Sequence, residues 1–354
     1  MTPLAQSLIR RIDATGPISI ADYMTDCLLH PQHGYYTTRN PFGTAGDFTT
    51  APEISQMFGE LIGLSLVQAW ADQGAPAAFT LAELGPGRGT LMADALRAAG
   101  AVPGFSNAAQ VHLVEASPAL RKRQKQTLSG THVTWLDTTD QLPQAPLFLI
   151  ANEFFDALPI RQFIRDPAGW RERQVGLADN ALSFGLGDPA PMAELAHRLP
   201  DTATGDLVET RTPAQPIVQA IATRIANHGG AALIVDYGSW QSLGDTFQAL
   251  EQHQTADPLA NPGQADLTAH VDFQALAKPA TGVTHSAMTQ QGVFLERLGI
   301  TQRAQALARN LDGDALRQHI AAHRRLTHPQ EMGSLFKVLG LTPVGCPLLP
   351  GLDP

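Results

Sequence analysis

The chain has few cysteines, few aromatic residues and no concentrated block of positive charge. Its two cysteines, Cys27 and Cys346, lie far apart among 354 residues, which argues against a disulfide framework and a cysteine-based zinc site. Lysine and arginine number 24 against 33 aspartates and glutamates, and the net charge is −9. The densest basic run is RKRQK at 121–125, so a nucleic-acid-binding surface is not expected.

Long apolar runs are also missing. The longest, MFGELIGLSLVQAW at 57–70, is too short for a membrane span and contains Glu60, so it predicts a buried helix. The first twenty residues lack the apolar centre of a secretory signal, and Asp13 weighs against a transit peptide. We expect no membrane span. The expected location is the cytoplasm of a bacterium, the favoured source, or the mitochondrial matrix of a eukaryote.

Apolar strands alternate with helices from residue 79 onward. Five segments are predicted strands: FTLAEL at 79–84, QVHLVEA at 110–116, HVTWL at 132–136, PLFLIAN at 146–152 and GGAALIVDYG at 229–238. Such alternation predicts an α/β fold with a doubly wound sheet. Upstream, Pro52 is placed to begin a helix that runs to about Ala71, with Thr50 as its cap.

Two stretches interrupt the alternation. Residues 161–206 are predicted to form a hairpin with a Pro/Ala-rich connection, and residues 239–270 a long loop. We therefore expect N-terminal helices and a loop in residues 1–72, and an α/β core with two insertions in residues 73–354. His30 and His33 have no third candidate ligand nearby, so no metal site is predicted.

A glycine-rich turn follows the first core strand. In LAELGPGRGTL, Gly85, Gly87 and Gly89 lie between a strand and a helix, where glycine lets the backbone approach a ligand closely. The third glycine comes one residue too early for the GxGxxG pattern of dinucleotide sites. Glu83 precedes the turn, and its carboxylate suits an ammonium or sulfonium ligand better than a phosphate.

The next strand ends at a second acid, Glu115. A carboxylate at this point can accept hydrogen bonds from both hydroxyls of a ribose. Together, Glu83, the three glycines and Glu115 indicate a site for S-adenosyl-L-methionine (SAM), with its amino-acid end over the turn and its ribose at Glu115. The alternative is that the glycines form only a tight turn and that Glu115 is solvated.

Several long motifs resemble those of one protein family. They are HPQHGYYTTRNPFGTAGDFTTAPEISQMFGELIG at 30–63, which includes GDFTTAPEIS at 46–55, then ELGPGRGTLMADALR at 83–97, ANEFFDALPIRQF at 151–163, LIVDYG at 233–238, DPLANPGQADLTAHVDF at 257–273 and RRLTHPQEMGSLFKVL at 324–339. From about Pro31 to Leu339 the chain resembles the MidA family of SAM-dependent methyltransferases. Mitochondrial members of that family methylate an arginine on a subunit of respiratory complex I and assist its assembly. The resemblance implies a class I (Rossmann-like) methyltransferase sheet of seven strands, with SLFKVLGLT as a last, antiparallel strand.

The resemblance also implies which residues bind the cofactor and which react. The implied cofactor-binding residues are Asp47, Phe48, Glu83, Gly85, Pro86, Gly87, Gly89, Glu115 and Asn152. Asp47 and Phe48 are expected to form a lid. Residues after the fourth strand of class I methyltransferases lie beside the transferable methyl group, so Asn152, Glu153 and Asp156 are the predicted catalytic residues.

The residues after the fourth strand suit an arginine substrate. An arginine side chain stays protonated, because its pKa lies above about 12. Glu153 and Asp156 are expected to hold the guanidinium in a fork and to accept its proton. One of the two rings of Phe154 and Phe155 is expected to stack on the guanidinium. Core packing of the rings and a capping role for Asp156 are the alternatives.

A few further expectations concern the surroundings of the site. Asp236 and Tyr237, at the end of another strand, are expected to line the substrate side. The expected partner is a protein substrate, a complex I subunit, and the oligomeric state is not predicted. Two other functions stay open: a nicotinamide-dependent oxidoreductase, against which Glu83 argues, and a non-catalytic assembly chaperone that binds SAM only for stability.

Overall fold

The structure is a computed structural model that describes residues 1–38, 50–251 and 253–354. Its internal contacts divide the chain into two compact units. The first unit comprises Met1–Phe48, Asp156–Ala214 and Gln241–Asp272, and the second comprises Thr49–Phe155, Gln215–Trp240 and Phe273–Pro354. Among the described residues, no helix is long and apolar enough to cross a lipid bilayer.

The second unit is built around a mostly parallel sheet. Within the described residues, its main path has seven strands: β1 Phe79–Leu84, β2 Ala109–Val114, β3 Val133–Leu136, β4 Leu147–Asn152, β5 Gly230–Ser239, β6 Val283–His285 and β7 Phe336–Pro343. Their spatial order is β3-β2-β1-β4-β5-β7-β6. The first five strands pair in parallel, whereas β7 runs antiparallel to both neighbours. The predicted α/β class and the reversed last strand are confirmed.

Helices and one short strand complete the second unit. The helices are Ala51–Ile54, Gln56–Asp72, Thr90–Ala99, Phe105–Ala108, Pro118–Thr127, Ala214–His228, Phe273–Ala277, Gln291–Arg297, Ile300–Ala308, Gly313–Thr327 and Met332–Leu335, with a 3-10 turn at Thr139–Gln141. The short strand Thr289–Gln290 pairs with β7. Ser117 caps the helix Pro118–Thr127, since its hydroxyl accepts a hydrogen bond from the Leu120 N–H at 3.4 Å.

The apolar run at 57–70 forms a buried helix, as predicted. Gly59 and Gly63 let Gln56–Asp72 approach the helix Thr90–Ala99, because a Cβ added at Gly63 would lie 2.6 Å from the Cα of Ala95. The helix does not begin at Pro52. Ser55 is extended and caps Gln56–Asp72, which separates the short helix Ala51–Ile54 from it. Thr50 occupies the N-cap position of Ala51–Ile54, as predicted, but its side chain makes no capping hydrogen bond.

The first unit combines N-terminal helices with two antiparallel sheets. Its helices are Pro3–Thr15, Ile20–Leu29 and Tyr35–Thr38. One sheet contains Ile18–Ser19, Arg161–Asp166, Gly169–Ala178, Ala181–Leu186 and Leu207–Thr210. The other contains Gln248–Glu251, Gln254–Ala256 and Asp266–Thr268. The remaining elements are a 3-10 turn at Ala193–Arg198 and the strand Val271–Asp272.

Two predictions for this unit need correction. The hairpin expected after residue 161 continues into a third strand, Ala181–Leu186. The long loop expected at 239–270 contains the second antiparallel sheet. Its described strands are only three or four residues long, and such short segments show too few alternations of apolar and polar residues to be recognised.

Candidate active site

The order of the strands reverses between β1 and β4. From β1 the chain moves outward to β2 and β3, and then returns to the other side of β1 through β4 and β5. In open α/β sheets, ligands bind beyond the carboxyl ends of the strands where the order reverses. Leu84 pairs with both Val114 and Ala151, so the segments that follow β1, β2 and β4 leave the sheet at the same edge.

The turn after β1 has a backbone that favours glycine. Gly85, Gly87 and Gly89 have φ angles of 56°, 51° and 82°, in the left-handed region that side chains with a Cβ rarely adopt. A Cβ added at Gly85 would lie 2.9 Å from the ring of Phe154. The Gly89 N–H donates to the carbonyl oxygen of Pro86 at 2.7 Å, which closes the turn.

Glu83, two residues before the first glycine of the turn, is a buried acid that has no cationic partner among the described residues. Only 3% of its surface is exposed. Its Oε2 has no hydrogen-bond partner among the residues that the structure describes. Burial raises the pKa of Glu83 to about 8, although a hydrogen bond from the Met92 backbone opposes the shift. A cationic ligand placed beside Glu83 would stabilise its ionised form.

Glu115 lies just beyond the end of β2, and its carboxylate is held by two donors. The Ser117 N–H donates to Oε1 at 2.7 Å, and the Gln124 side-chain amide donates to Oε2 at 3.1 Å. Burial raises the pKa of Glu115, and these donors oppose the shift. The alternative of a solvated carboxylate is wrong, since Glu115 is buried.

Asn152 and Glu153 follow at the end of β4. The Asn152 Nδ2 donates to the Glu153 Oε1 at 3.2 Å. The Asn152 Oδ1 is buried and has no partner within the described part of the chain. Glu153 has a φ of 49°, a strained conformation for a residue with a side chain that is often found at functional sites.

Glu153 has a second contact that the sequence did not reveal. Its Oε1 also accepts a hydrogen bond from the Ala51 N–H at 3.0 Å. The carboxylate of Glu153 therefore supplies the capping hydrogen bond that the Thr50 side chain does not make, and it holds the helix Ala51–Ile54 next to the segment that follows β4.

Glu53 is a site residue that the sequence reasoning missed. Its carboxylate accepts hydrogen bonds from Arg88 at 3.0 Å and from the Thr90 hydroxyl at 2.6 Å. These contacts join the helix Ala51–Ile54 to the glycine turn. The only sequence indication was the position of Glu53 inside the motif GDFTTAPEIS.

The two adjacent phenylalanines lie in different environments. Phe155 is fully buried, and its N–H donates to the Asp236 Oδ2 at 3.0 Å. Phe154 is only partly buried and lies against Gly85. The Asp236 Oδ1 accepts a hydrogen bond from the Tyr237 N–H at 2.9 Å, so Asp236 joins the backbone after β4 to the end of β5. Core packing therefore accounts for Phe155 but not for Phe154.

Asp156 belongs to the first unit, so the boundary between the units separates it from Glu153. Its carbonyl oxygen accepts a hydrogen bond from the Ala269 N–H at 3.1 Å. The Tyr36 hydroxyl donates to Asp266 at 2.7 Å. Burial raises the pKa of Tyr36, and the charges of Asp266 and Asp156 raise it further, so these acids lie close to Tyr36. The predicted lid residues Asp47 and Phe48 lie outside the described residues.

Comparison with known proteins identifies the family. A family model for putative S-adenosyl-L-methionine-dependent methyltransferases matches residues 61–290. The chain belongs to this family. The predicted resemblance to MidA-like methyltransferases is therefore confirmed, and so is the predicted cofactor, SAM. The chain is a SAM-dependent methyltransferase, and the interpretation as a nicotinamide-dependent oxidoreductase is wrong.

Two named relatives and one solved structure extend the match over most of this methyltransferase. The mitochondrial protein arginine methyltransferase NDUFAF7 of Bos taurus is 38% identical over 373 residues, which cover 97% of this chain and 84% of the relative. The Homo sapiens protein of the same name is 37% identical over 374 residues and covers the same shares. A likely methyltransferase from Burkholderia thailandensis, solved with S-adenosyl-homocysteine bound, has a TM-score of 0.83 and 31% identity, covering 99% of this chain and 92% of that one.

Proposed function

We propose that this methyltransferase transfers the methyl group of SAM to an arginine side chain of a protein. The observation that carries the cofactor part is the pair of buried acids, Glu83 and Glu115, on either side of a glycine turn at the point where the strand order reverses. The arginine part is supported by the named relatives, which are protein arginine methyltransferases and are 37–38% identical over 97% of the chain.

The residues of the second unit fit SAM. The positive charges of SAM, on its ammonium and sulfonium groups, match the Glu83 Oε2 and the Asn152 Oδ1, which are buried and lack partners among the described residues. At the three glycines of the turn, no Cβ stands between the backbone and the ligand. Pro86 lies between the first two of these glycines. The Glu115 carboxylate would accept hydrogen bonds from the hydroxyls of the ribose. The lid role of Asp47 and Phe48 stays a prediction from the sequence.

The residues after β4 would hold the substrate. When bound, SAM supplies a methyl group that is already activated by the sulfonium, so positioning of the guanidinium is the main task of the protein. Glu153 would hold two guanidinium nitrogens, with its Oε1 fixed by Asn152 and Ala51. Glu153 would accept the proton that the guanidinium nitrogen loses once it carries the methyl group. Asp156 is assigned a supporting role.

The proposed substrate protein is a subunit of respiratory complex I. This proposal rests on the resemblance of the six sequence motifs to the MidA family and on the mitochondrial relatives. The expected location is the mitochondrial matrix if the source is eukaryotic and the cytoplasm if it is bacterial.

The sequence also left open a non-catalytic assembly chaperone that binds SAM only for stability, and that candidate predicts no methyl transfer. Transfer of radiolabelled methyl groups distinguishes the two candidates. The purified protein is incubated with labelled SAM and a lysate of cells that lack the gene, and the protein fraction is hydrolysed to amino acids. Label in methylarginine supports the enzyme. Binding of SAM without any transfer supports the chaperone, and label only in lysine contradicts the arginine assignment.

A further inference from the structure

One buried amide joins the glycine turn to the acid beyond β2. Gln124 lies on the helix Pro118–Thr127 and is fully buried. Its Nε2 donates to the carbonyl oxygen of Gly87 at 2.9 Å and to the Glu115 Oε2 at 3.1 Å. Both hydrogens of the amide are therefore used, one on each of the two structures that are proposed to hold SAM.

The orientation of this amide is set by a residue on the neighbouring strand. The indole Nε1 of Trp135, on β3, lies 2.8 Å from the Gln124 Oε1. An indole N–H can only donate, so the amide oxygen must face Trp135 and the amide nitrogen must face Gly87 and Glu115. The reverse orientation would place an acceptor against two acceptors and a donor against a donor, which makes the observed orientation strongly preferred.

Gln124 packs directly against the glycine turn, and neighbouring residues hold Glu115 beside it. A Cβ added at Gly89 would lie 3.6 Å from the Cα and Cγ of Gln124, so the turn packs directly against this side chain. The Arg121 Nε donates to the carbonyl oxygen of Glu115 at 2.7 Å, and the Ser117 N–H holds the Glu115 Oε1. Arg121 is the charged residue that acts on Glu115, while Gln124 supplies the neutral donor to its second oxygen.

We propose that Gln124 is a positioning residue that couples the two halves of the SAM site, and that Trp135 acts through it. The Gln124 side-chain amide binds both the Gly87 carbonyl and the Glu115 carboxylate, and so fixes the distance between them. The subsite for the amino-acid end of SAM and the subsite for its ribose are thereby held at a fixed spacing. The proposal rests on the proposed assignment of the turn and of Glu115 to SAM. Gln124 itself does not need to touch the cofactor.

Four variants and one control test this proposal. Gln124→Glu keeps the shape of the side chain and the acceptor for Trp135 but replaces the donor by a second carboxylate. Gln124→Met keeps the bulk without hydrogen bonds. Trp135→Phe removes the N–H that sets the orientation, together with part of the ring, and it is also combined with Gln124→Met. Gln126→Glu is the matched control, because it makes the same change on the exposed face of the same helix.

The first readout is the dissociation constant of S-adenosyl-homocysteine, measured by calorimetry, with circular dichroism as the check on folding. We expect Gln124→Met to weaken binding roughly tenfold and Gln124→Glu more, since a hydrogen bond to a charged group is lost. Trp135→Phe should weaken binding roughly threefold on its own and add nothing to Gln124→Met, because the two changes act through one contact. Gln126→Glu should bind like the wild type.

The second readout distinguishes positioning from a general structural role. Gln124 favours the ionised form of Glu115, so the ratio of the Gln124→Met to the wild-type dissociation constant should rise as the pH falls. A general loss of structure would give a constant ratio. Equal affinity of all variants, a constant ratio, or an additive effect of Trp135→Phe would overturn the proposal. Failure of the wild type itself to bind S-adenosyl-homocysteine would instead overturn the assignment of the SAM site.

Discussion

The affinity for SAM should rise with pH, because Glu83 must be ionised to bind a cation. The pKa of Glu83 lies at about 8 in the protein without cofactor. At a pH of about 7, roughly one molecule in ten therefore has the ionised carboxylate, and the apparent dissociation constant should be about tenfold above its limiting value. Each further unit of acidification should weaken binding by about another factor of ten, or about 1.4 kcal/mol, while Glu83 alone controls the titration.

The variant Glu83→Gln tests this reasoning. It should bind SAM with little dependence on pH between about 6 and 8, because the amide does not titrate. Wild type and variant should differ most above a pH of about 8 and converge at lower pH, where a protonated Glu83 resembles glutamine. Asp72→Asn, at the exposed end of the helix Gln56–Asp72, should keep the wild-type profile. Calorimetry over this pH range is the assay, and the same profile in wild type and Glu83→Gln would refute the reasoning.

The same shift predicts a stability change in the absence of cofactor. The pKa of Glu83 is raised from 4.5 in the unfolded chain to about 8 in the folded one, so the folded state retains a proton over that interval. The free energy of unfolding should therefore fall as the pH rises from about 4.5 to about 8. Glu83→Gln should remove this fall and raise the melting temperature relative to the wild type at a pH of about 8. A melting temperature below that of the wild type at this pH would count against a buried, unpaired carboxylate.

Three further substitutions address the other parts of the site. Gly87→Val places a branched side chain at a φ of 51°, where the cofactor must approach the backbone. Calorimetry should detect no SAM binding while the circular dichroism spectrum stays nearly native, and an unchanged affinity would refute the placement of SAM over the turn. Glu115→Ala should weaken SAM binding by roughly 1.5–3 kcal/mol, and an unchanged dissociation constant would move the ribose contact elsewhere. Glu153→Gln keeps the Oε1 acceptor for Ala51 and Asn152, so SAM affinity should stay within about twofold. The rate of methyl transfer should fall roughly 10²-fold, because the carboxylate that holds the guanidinium is lost. Full activity would argue against the guanidinium pocket.

Local patterns in the sequence were sufficient to predict the core of the fold. Apolar strands that end in glycine or an acid, each followed by a helical segment, indicate the parallel sheet and the edge at which ligands bind. Glu83 and Glu115 could be selected because each stands at the end of such a strand. Their burial, and the pKa shifts that follow from it, could not be predicted, since they depend on residues that pack above the strand ends.

Contacts between distant parts of the chain were not predictable in this way. The hydrogen bond from Ala51 to Glu153 joins residues about a hundred positions apart, and no periodic pattern records it. Gln124 lies in a helix whose sequence suggests only a polar surface, and its burial depends on how the helix packs against the glycine turn. The boundary between the two compact units, which lies between Phe155 and Asp156, likewise falls inside one short sequence motif. It is set by contacts in three dimensions.

The central claim, that this chain methylates an arginine of a complex I subunit, is tested most directly by mass spectrometry of complex I subunits. The subunits are isolated from cells that lack the gene and from the same cells complemented with the wild type or with Gly87→Val. We expect a methylated arginine in one subunit with the wild type, and the unmodified arginine at that position in the other two samples. Methylation of that arginine without the gene, or identical modification of all subunits in the three samples, would contradict the claim.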